Sequence, residues 1–399
     1  MQSQTASSHA GSSSPGSARL HYLDVLRVIA VFMVFLFHAA KPFTIGGSWR
    51  IMNSETSMVA SAIFDALLAP WGMPFFFLLA GAGTWFALQR RSPRQFIGER
   101  FRRLLIPYIV GSILLTPLQA YLEWRFATQA GTLTESYVQF LLGRWPGWNP
   151  LIYDSIGYHL WFLGYLFTYA LIALPLLRWL KGTSGQGFVS RLARLCERRG
   201  GILLFALPLL VIQLGLRPFF PEAYHWPDFF YYLLFFLLGY IFYADQRFAQ
   251  AIRRDRWLTL AIGIVTLLGI MATLAIGEAE TLMNTPSEPG FLIFWAFAVV
   301  DAWCWSLFML SIGMRYLDFS NKVLRYGQEA IVPFYVFHQP VIMAVAFYVV
   351  QWETGVALKM LTVIACSFVL TLGIYELLVR RVAPLRSLFG MKSTSGQKE

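Results

Sequence analysis

Ten stretches of this 399-residue chain are apolar over lengths that cross about 30 Å of hydrocarbon, and nothing else in the sequence narrows the fold so sharply. They run over approximately 22–42, 66–89, 104–122, 157–178, 201–218, 228–244, 257–276, 290–312, 328–350 and 358–379. A backbone in hydrocarbon must satisfy its own hydrogen bonds, which leaves helices or a closed barrel. Continuous apolar runs of this length, without strict alternation, predict helices. The expected fold class is therefore all-α: a polytopic membrane helix bundle of about ten transmembrane helices. Composition agrees. Apolar residues make up 57% of the chain and charged residues 13%, with mean hydropathy +0.55. A soluble domain carries about 25% charged residues, so a water-soluble globule, a disordered chain and a disulfide-stapled secreted scaffold are all excluded.

Lysine and arginine exceed aspartate and glutamate by 11. In isolation such an excess suggests nucleic acid; its placement says otherwise. With the N-terminus in the cytoplasm, 26 of the 32 basic residues fall on the cytoplasmic side, leaving six for the other. The far-side loops instead carry Glu123, Glu135, Glu278, Glu280, Glu288 and Glu353. This is the positive-inside pattern, and it predicts an N-in, C-in topology with a lipid bilayer and no nucleic acid as partner. Residues 1–19 are rich in Ser, Gly, Ala and Gln and read as a disordered cytoplasmic tail. They lack the basic n-region of a removable signal peptide. Residues 20–382 form one membrane domain, and 383–399 a cytoplasmic C-terminal tail.

Cys196, Cys304 and Cys366 lie far apart, forming neither a zinc pattern nor a disulfide framework, and are expected to pack structurally. No His/Cys/Asp cluster has metal spacing, and no GxGxxG or Walker motif occurs. The six Phe and Trp residues within 71–86 read as packing or lipid-facing groups. An outer loop over roughly 123–156 contains Trp145 and Trp148, which fit either an interfacial anchor or a stacking surface for carbohydrate.

Ionisable groups at membrane depth are costly and so point to function. On the first apolar segment, Arg27 precedes His38 by eleven positions. Eleven steps of about 100° overshoot three turns by about 20°, so both share one helix face about 16 Å apart along the axis. Asp24, one turn before Arg27, is placed to pair with it. Asp301 and His338 are expected near mid-depth, His338 between Pro333 and Pro340. Those prolines free backbone carbonyls, so each polar group has either a site role or an internal hydrogen bond to make. His159 and Trp161 sit at the outer end of the fourth segment and suit an acceptor entrance. Glu329 and Glu376, near inner helix ends, are expected to neutralise arginines.

Several of these residues carry a resemblance. Arg27 and His38 behind the Leu23–Arg27 opening resemble the first-helix signature of acyltransferase family 3, the bacterial integral-membrane O-acyltransferases. The run Pro74–Gly81 resembles the family's second helix. Arg100-Phe101-Arg102-Arg103 before Leu104–Tyr108 resembles its RxxR element. His159–Leu163 and Tyr335–Pro340 are similar to later landmarks, in the manner of the glucan succinyltransferase-like branch. The likeness runs from about 20 to 380. Two departures stand out: Ala80 occupies a position where the family often has serine, and the soluble hydrolase-like domain that some members append is not expected here.

The resemblance implies His38 as the catalytic residue and Arg27 as its essential companion. Acylating a sugar hydroxyl needs a base, and imidazole titrates in the right range and can return the proton to a leaving thiolate. No GxSxG elbow supplies a covalent serine route. The donor expected is acyl-CoA (succinyl-CoA or acetyl-CoA), a co-substrate and not a bound cofactor. Arg100 and Arg103, three apart on one face, suit its phosphates, although the positive-inside rule also accounts for them. The acceptor expected is a periplasmic or cell-surface glycan, the location the bacterial inner membrane, and glucan-synthesis proteins are candidate partners. Asp24, His159, Trp161, Asp301 and His338 are supporting or acceptor-side candidates. The competing class is a proton-coupled transporter or glycan exporter, for which intramembrane His and Asp also serve. A scaffolding subunit would leave the Arg27–His38 alignment unexplained.

Overall fold

The computed structural model describes residues 20–45, 49–128, 136–143, 158–276 and 279–391. The N-terminal tail, the Trp145–Trp148 segment and the last eight residues of the C-terminal tail lie outside them.

Every apolar run of the sequence is a helix. Seven are long enough to cross a membrane: α1 (His21–Phe43), α2 (Met58–Arg90), α3 (Pro93–Ala127), α10 (Arg256–Ala275), α11 (Phe291–Tyr316), α12 (Lys322–Val349) and α13 (Val356–Val379). Two bent pairs lie among them. Tyr158–Ile172 (α4) and Leu174–Lys181 (α5) meet at 50°, and Trp226–Phe242 (α8) and Gln246–Arg254 (α9) at 106°. Thr183–Leu195 forms α6 and Gly201–Leu216 forms α7. The described residues thus hold seven spans, or nine if each bent pair is one, against the ten expected. Three local causes explain the difference. Pro175 enters the first turn of α5, where its missing N–H breaks the run begun by α4. The amphipathic α9 turns away from α8. And α7 covers only about 24 Å at 1.5 Å per residue, too little for a full crossing.

Packing is tightest where side chains are smallest. A Cβ built on Gly81 of α2 would lie 1.9 Å from the Phe236 carbonyl oxygen of α8, and one on Gly239 would lie 2.0 Å from that of Leu78. Close backbone approach through small residues is the usual device of membrane helix pairs. The pair α10–α11 packs extensively, and α12 sits between α1, α3 and α13. One core, with Phe35, Phe77, Tyr169, Phe235 and Trp303 fully buried, unites these helices except α10, whose Ile270 packs in a separate cluster with Ala66, Phe294 and Ala298. The windows of α10 and α13 are the least covered, and their exposed residues, such as Val265 and Val369, are apolar, as a lipid-facing surface requires. Cys196 and Cys304 are buried as expected. Cys366 is exposed instead, on the outer face of α13, where a thiol meets lipid without packing.

At one end of the bundle the basic residues are organised. Arg254 ties the α6–α7 connection through the carbonyls of Cys196, Glu197 and Arg198. Arg247 pairs with Glu197 and Asp245. Hydrogen bonds from Arg247 hold the Asp245 carboxyl below its ordinary range. Arg380 pairs with Glu376 and Arg386 with Glu329, as the sequence suggests.

Candidate active site

Three helices bring three imidazoles into one cluster. His38 comes from the end of α1, His159 from the turn that opens α4, and His338 from the middle of α12, 300 residues from His38 in sequence. The His159 and His338 rings are 4.8 Å apart, and the His38 ring lies 6.3 Å from that of His159. Trp49 stacks over His38 with ring centroids 5.5 Å apart.

The backbone of α12 decides how these rings are oriented. Pro340 has no N–H to give the carbonyl of Val336, one turn earlier. His159 Nε2 reaches that carbonyl at 3.1 Å and the Tyr335 carbonyl at 3.0 Å. The Tyr335 hydroxyl donates back to the His159 carbonyl. A proline-freed carbonyl therefore does recruit a histidine, but from a neighbouring helix and not from α12 itself. His159 and Trp161, which the sequence offers as an acceptor entrance, are buried in the bundle.

Tautomers follow from the partners. A carbonyl only accepts, so His338 Nδ1, 2.6 Å from the Tyr335 carbonyl, carries a hydrogen. In the neutral ring the other nitrogen is then bare. His338 Nε2 must accept, and the donor 2.8 Å away is His38 Nδ1. That leaves His38 Nε2 as a lone pair. The chain from carbonyl to His338 to His38 thus presents one imidazole in a single, basic tautomer.

A cavity of about 170 Å³ adjoins this cluster, lined by His38 and His159. Its walls are otherwise apolar or aromatic, with Ala30, Val34, Gly72 and Phe76 among them and Trp161, Tyr224, Tyr232 and Tyr335 near the histidines. On α1 the lining runs from Ala30 to His38, about 12 Å along the axis.

Arg27 lies one turn below that lining. It pairs with Asp24 at 3.1 Å, as the i,i+3 spacing predicts, and donates to the Leu79 carbonyl of α2 at 3.2 Å. A Cβ on Gly83 would meet the Arg27 Nη2 at 2.4 Å, so the glycine makes room for the guanidinium. Arg100 of α3 donates to Thr84 of α2 at 3.3 Å and stacks over Phe96. Arg103 pairs with Glu99 at 3.5 Å. Arg27, Arg100 and Arg103 are close enough to feel one another's charge. A π-helical turn over Phe101–Leu105 separates Arg100 from the rest of α3.

The sequence candidates thus sort into two groups, one at the cavity and one below it. His38, His159 and Trp161 line the cavity and His338 bonds His38 from behind, whereas Arg27, Asp24, Arg100 and Arg103 gather below it, outside its lining. Asp301 belongs to neither. It is buried on α11, where its carboxylate accepts from Thr266 of α10 at 3.2 Å and from Trp305 at 3.0 Å. It tethers two helices and does not line the cavity. Sequence reasoning missed Trp49, Tyr335, Tyr224 and Tyr232. Tyr335 had a signal in the Tyr335–Pro340 run, since its carbonyl precedes the proline-broken turn. Among the described residues no group of three or more His, Cys, Asp or Glu side chains is arranged to hold a metal ion.

Comparison with known proteins points one way. A family model described as an acyltransferase domain matches residues 20–378. Proteins named "Glucans biosynthesis protein C" from Salmonella paratyphi B, Salmonella dublin and Salmonella enteritidis are each 22% identical over 400 residues, covering 95% of this chain and 97% of theirs. No solved structure matches.

Proposed function

Since the chain belongs to acyltransferase family 3 and is a multi-pass membrane acyltransferase, we propose that it moves a short acyl group from acyl-CoA to a hydroxyl of an extracytoplasmic glycan, with His38 as general base. The observation that carries this reading is the bare Nε2 of His38, fixed by His338 beside a cavity that begins one turn above Arg27. Family membership also removes the transporter as a competing class.

The basic end of the bundle faces the cytoplasm in this reading, by the positive-inside rule. Acyl-CoA is made there. Its phosphates dock against Arg100, Arg103 and Arg27, whose guanidinium groups suit phosphate oxygens. The pantetheine arm follows the apolar cavity along α1 and α2 towards His38. The acceptor arrives from the opposite side, the periplasmic face of a bacterial inner membrane. His38 Nε2 takes the hydroxyl proton as the acceptor oxygen attacks the thioester carbonyl. The new C–O bond forms, the C–S bond breaks, and the imidazolium returns its proton to the thiolate, giving an ester and free CoA. Asp24 holds Arg27 in place, and His338 positions His38. The relatives' printed name makes a glucan the acceptor of first choice.

The cavity also favours an uncharged acyl group. Its described lining includes no lysine or arginine, and Lys41, just beyond His38, is already paired with Asp65 at 2.9 Å. A succinyl carboxylate placed there lacks a countercharge, whereas acetyl needs none. The test is transfer of radiolabel from acyl-CoA to a glucan oligosaccharide by purified protein in nanodiscs. His38→Ala should abolish transfer with folding and acyl-CoA binding retained; wild-type turnover by that variant overturns the assignment.

A further inference from the structure

A second feature of the cavity wall remains unused by this chemistry. Tyr224, in the connection from α7 to α8, has φ of 63°, in the left-handed region that disfavours a residue with a branched Cβ or bulky ring. Such a conformation persists only where the surroundings over-determine it, and it clusters at ligand-binding positions. Here the surroundings are unusual. Arg217 is buried, and every nitrogen of its guanidinium is used locally. Its Nε donates to Gln213 at 3.0 Å, its Nη1 to the carbonyls of Pro221 and Glu222 at 3.5 and 3.2 Å, and its Nη2 to Asp228. Trp295 lies 4.0 Å beneath the guanidinium. Asp228 in turn accepts from the Tyr224 N–H at 2.8 Å, and the Tyr165 hydroxyl donates to the Tyr224 carbonyl at 2.8 Å. A buried ion pair in a membrane protein thus holds the turn over 221–224, its strained peptide included.

What that peptide presents is a ring. The Tyr224 side chain lies 4.8 Å from Trp161, and Trp161 stacks on Tyr232 at 5.6 Å. All three line the cavity that holds His38. The wall is broad, aromatic and without formal charge. A pyranose ring has apolar C–H faces and a rim of hydroxyls, so it can lie against such a wall while a rim hydroxyl faces the base. An acyl chain or pantetheine arm needs no such breadth, and the α1–α2 lining already offers it an apolar path.

We propose that Tyr224, together with Trp161, forms the platform that binds the sugar ring of the acceptor, and that the Arg217–Asp228 pair is the clamp that pre-organises it. This rests on the acyl-transfer reading and adds a subsite to it. Tyr224 is a specificity-determining residue, and Arg217 a positioning residue that acts through it.

The experiment uses full-length protein in nanodiscs with acetyl-CoA as donor and a soluble linear glucan oligosaccharide as acceptor, with glycerol as an acceptor that lacks a ring. Tyr224→Gly relieves the backbone while removing the ring. It should melt no lower than wild type yet raise the acceptor KM about tenfold, the effect of losing about 1.4 kcal/mol of binding. The donor KM and transfer to glycerol should be unchanged. Arg217→Lys should raise the same KM; if it fails to fold, Tyr224→Gly still decides. A Tyr224→Gly variant with unchanged acceptor KM overturns the platform, and so does one whose donor KM rises instead, which would assign the wall to the acyl group. Failure of the underlying reading gives a different result: His38→Ala that still turns over.

Discussion

Replacing His338 tests the link on which the basic tautomer depends. In the wild-type protein the Nδ1–H of half-buried His38 has one partner, Nε2 of the buried His338 at 2.8 Å. His338→Phe keeps a ring of similar size and removes the acceptor. The productive tautomer then leaves a buried N–H unsatisfied, which costs about 1–3 kcal/mol. With tenfold in rate per about 1.36 kcal/mol, kcat should fall roughly 5- to 160-fold. Donor affinity should not change, because His338 bonds His38 and the Tyr335 carbonyl and shares no partner with Arg27 or Arg100. His338→Gln is the informative companion. Its amide oxygen lies close to the place of the missing Nε2 and can accept from His38, so most of the rate should return. Single-turnover transfer from labelled acyl-CoA, with donor binding measured separately, isolates the chemical step. A Phe variant within threefold of wild type would show that the tautomer is fixed some other way. A folded Gln variant as defective as the Phe variant would refute the acceptor role of His338.

Other consequences follow from the arginine end and the helix contacts. Gly83→Ala puts a methyl 2.4 Å from the Arg27 guanidinium, the far end of a flexible side chain, so folding should survive while acyl-CoA binding weakens; a binding isotherm beside a thermal melt checks both. Arg100→Gln should raise the KM for acyl-CoA roughly 10- to 150-fold, the range for losing a charged hydrogen bond of about 1.5–3 kcal/mol, and leave transfer from acyl-pantetheine untouched. Equal losses with both donors would remove the phosphate role. Gly239→Ala meets the Leu78 carbonyl at 2.0 Å, a backbone group that cannot step aside, and should cost about 3 kcal/mol, read as loss of the monodisperse peak on gel filtration. Acetyl-CoA should outcompete succinyl-CoA in a mixed-donor assay, and the reverse preference would show that a cation reaches the acyl pocket.

How much of this was legible in the sequence depends on the range over which each property is set. Helix identity is local: an apolar run in hydrocarbon has to hydrogen-bond within itself, so all ten runs emerged as helices. The Arg27–Asp24 pair and the common face of Arg27 and His38 are equally local, fixed by helical geometry. The helix count was less legible because a bend is also local but easily outvoted; Pro175 sits inside a run whose hydropathy alone reads as continuous. The histidine cluster lies at the other extreme. Pro340 announces that a carbonyl of α12 needs a donor, yet nothing in the sequence says that His159, 177 positions from Val336, will supply it. For the same reason Asp301 and His338 looked alike, both polar and both at mid-depth. Only the pairing of α10 with α11 gives Asp301 its partner Thr266 and takes it out of the site. Tyr224 was invisible for a different reason. Its distinction is a backbone dihedral, and no composition or periodicity reports one. A strained tyrosine can only be recognised once Arg217 and Asp228, neither adjacent to it in sequence, are seen to hold it there. The residues that sequence reasoning finds are those whose chemistry is unusual for their depth. Those it misses have ordinary chemistry, and their environment makes them special. The aromatic cavity wall of Trp161, Tyr224 and Tyr232 is built mainly from the second kind.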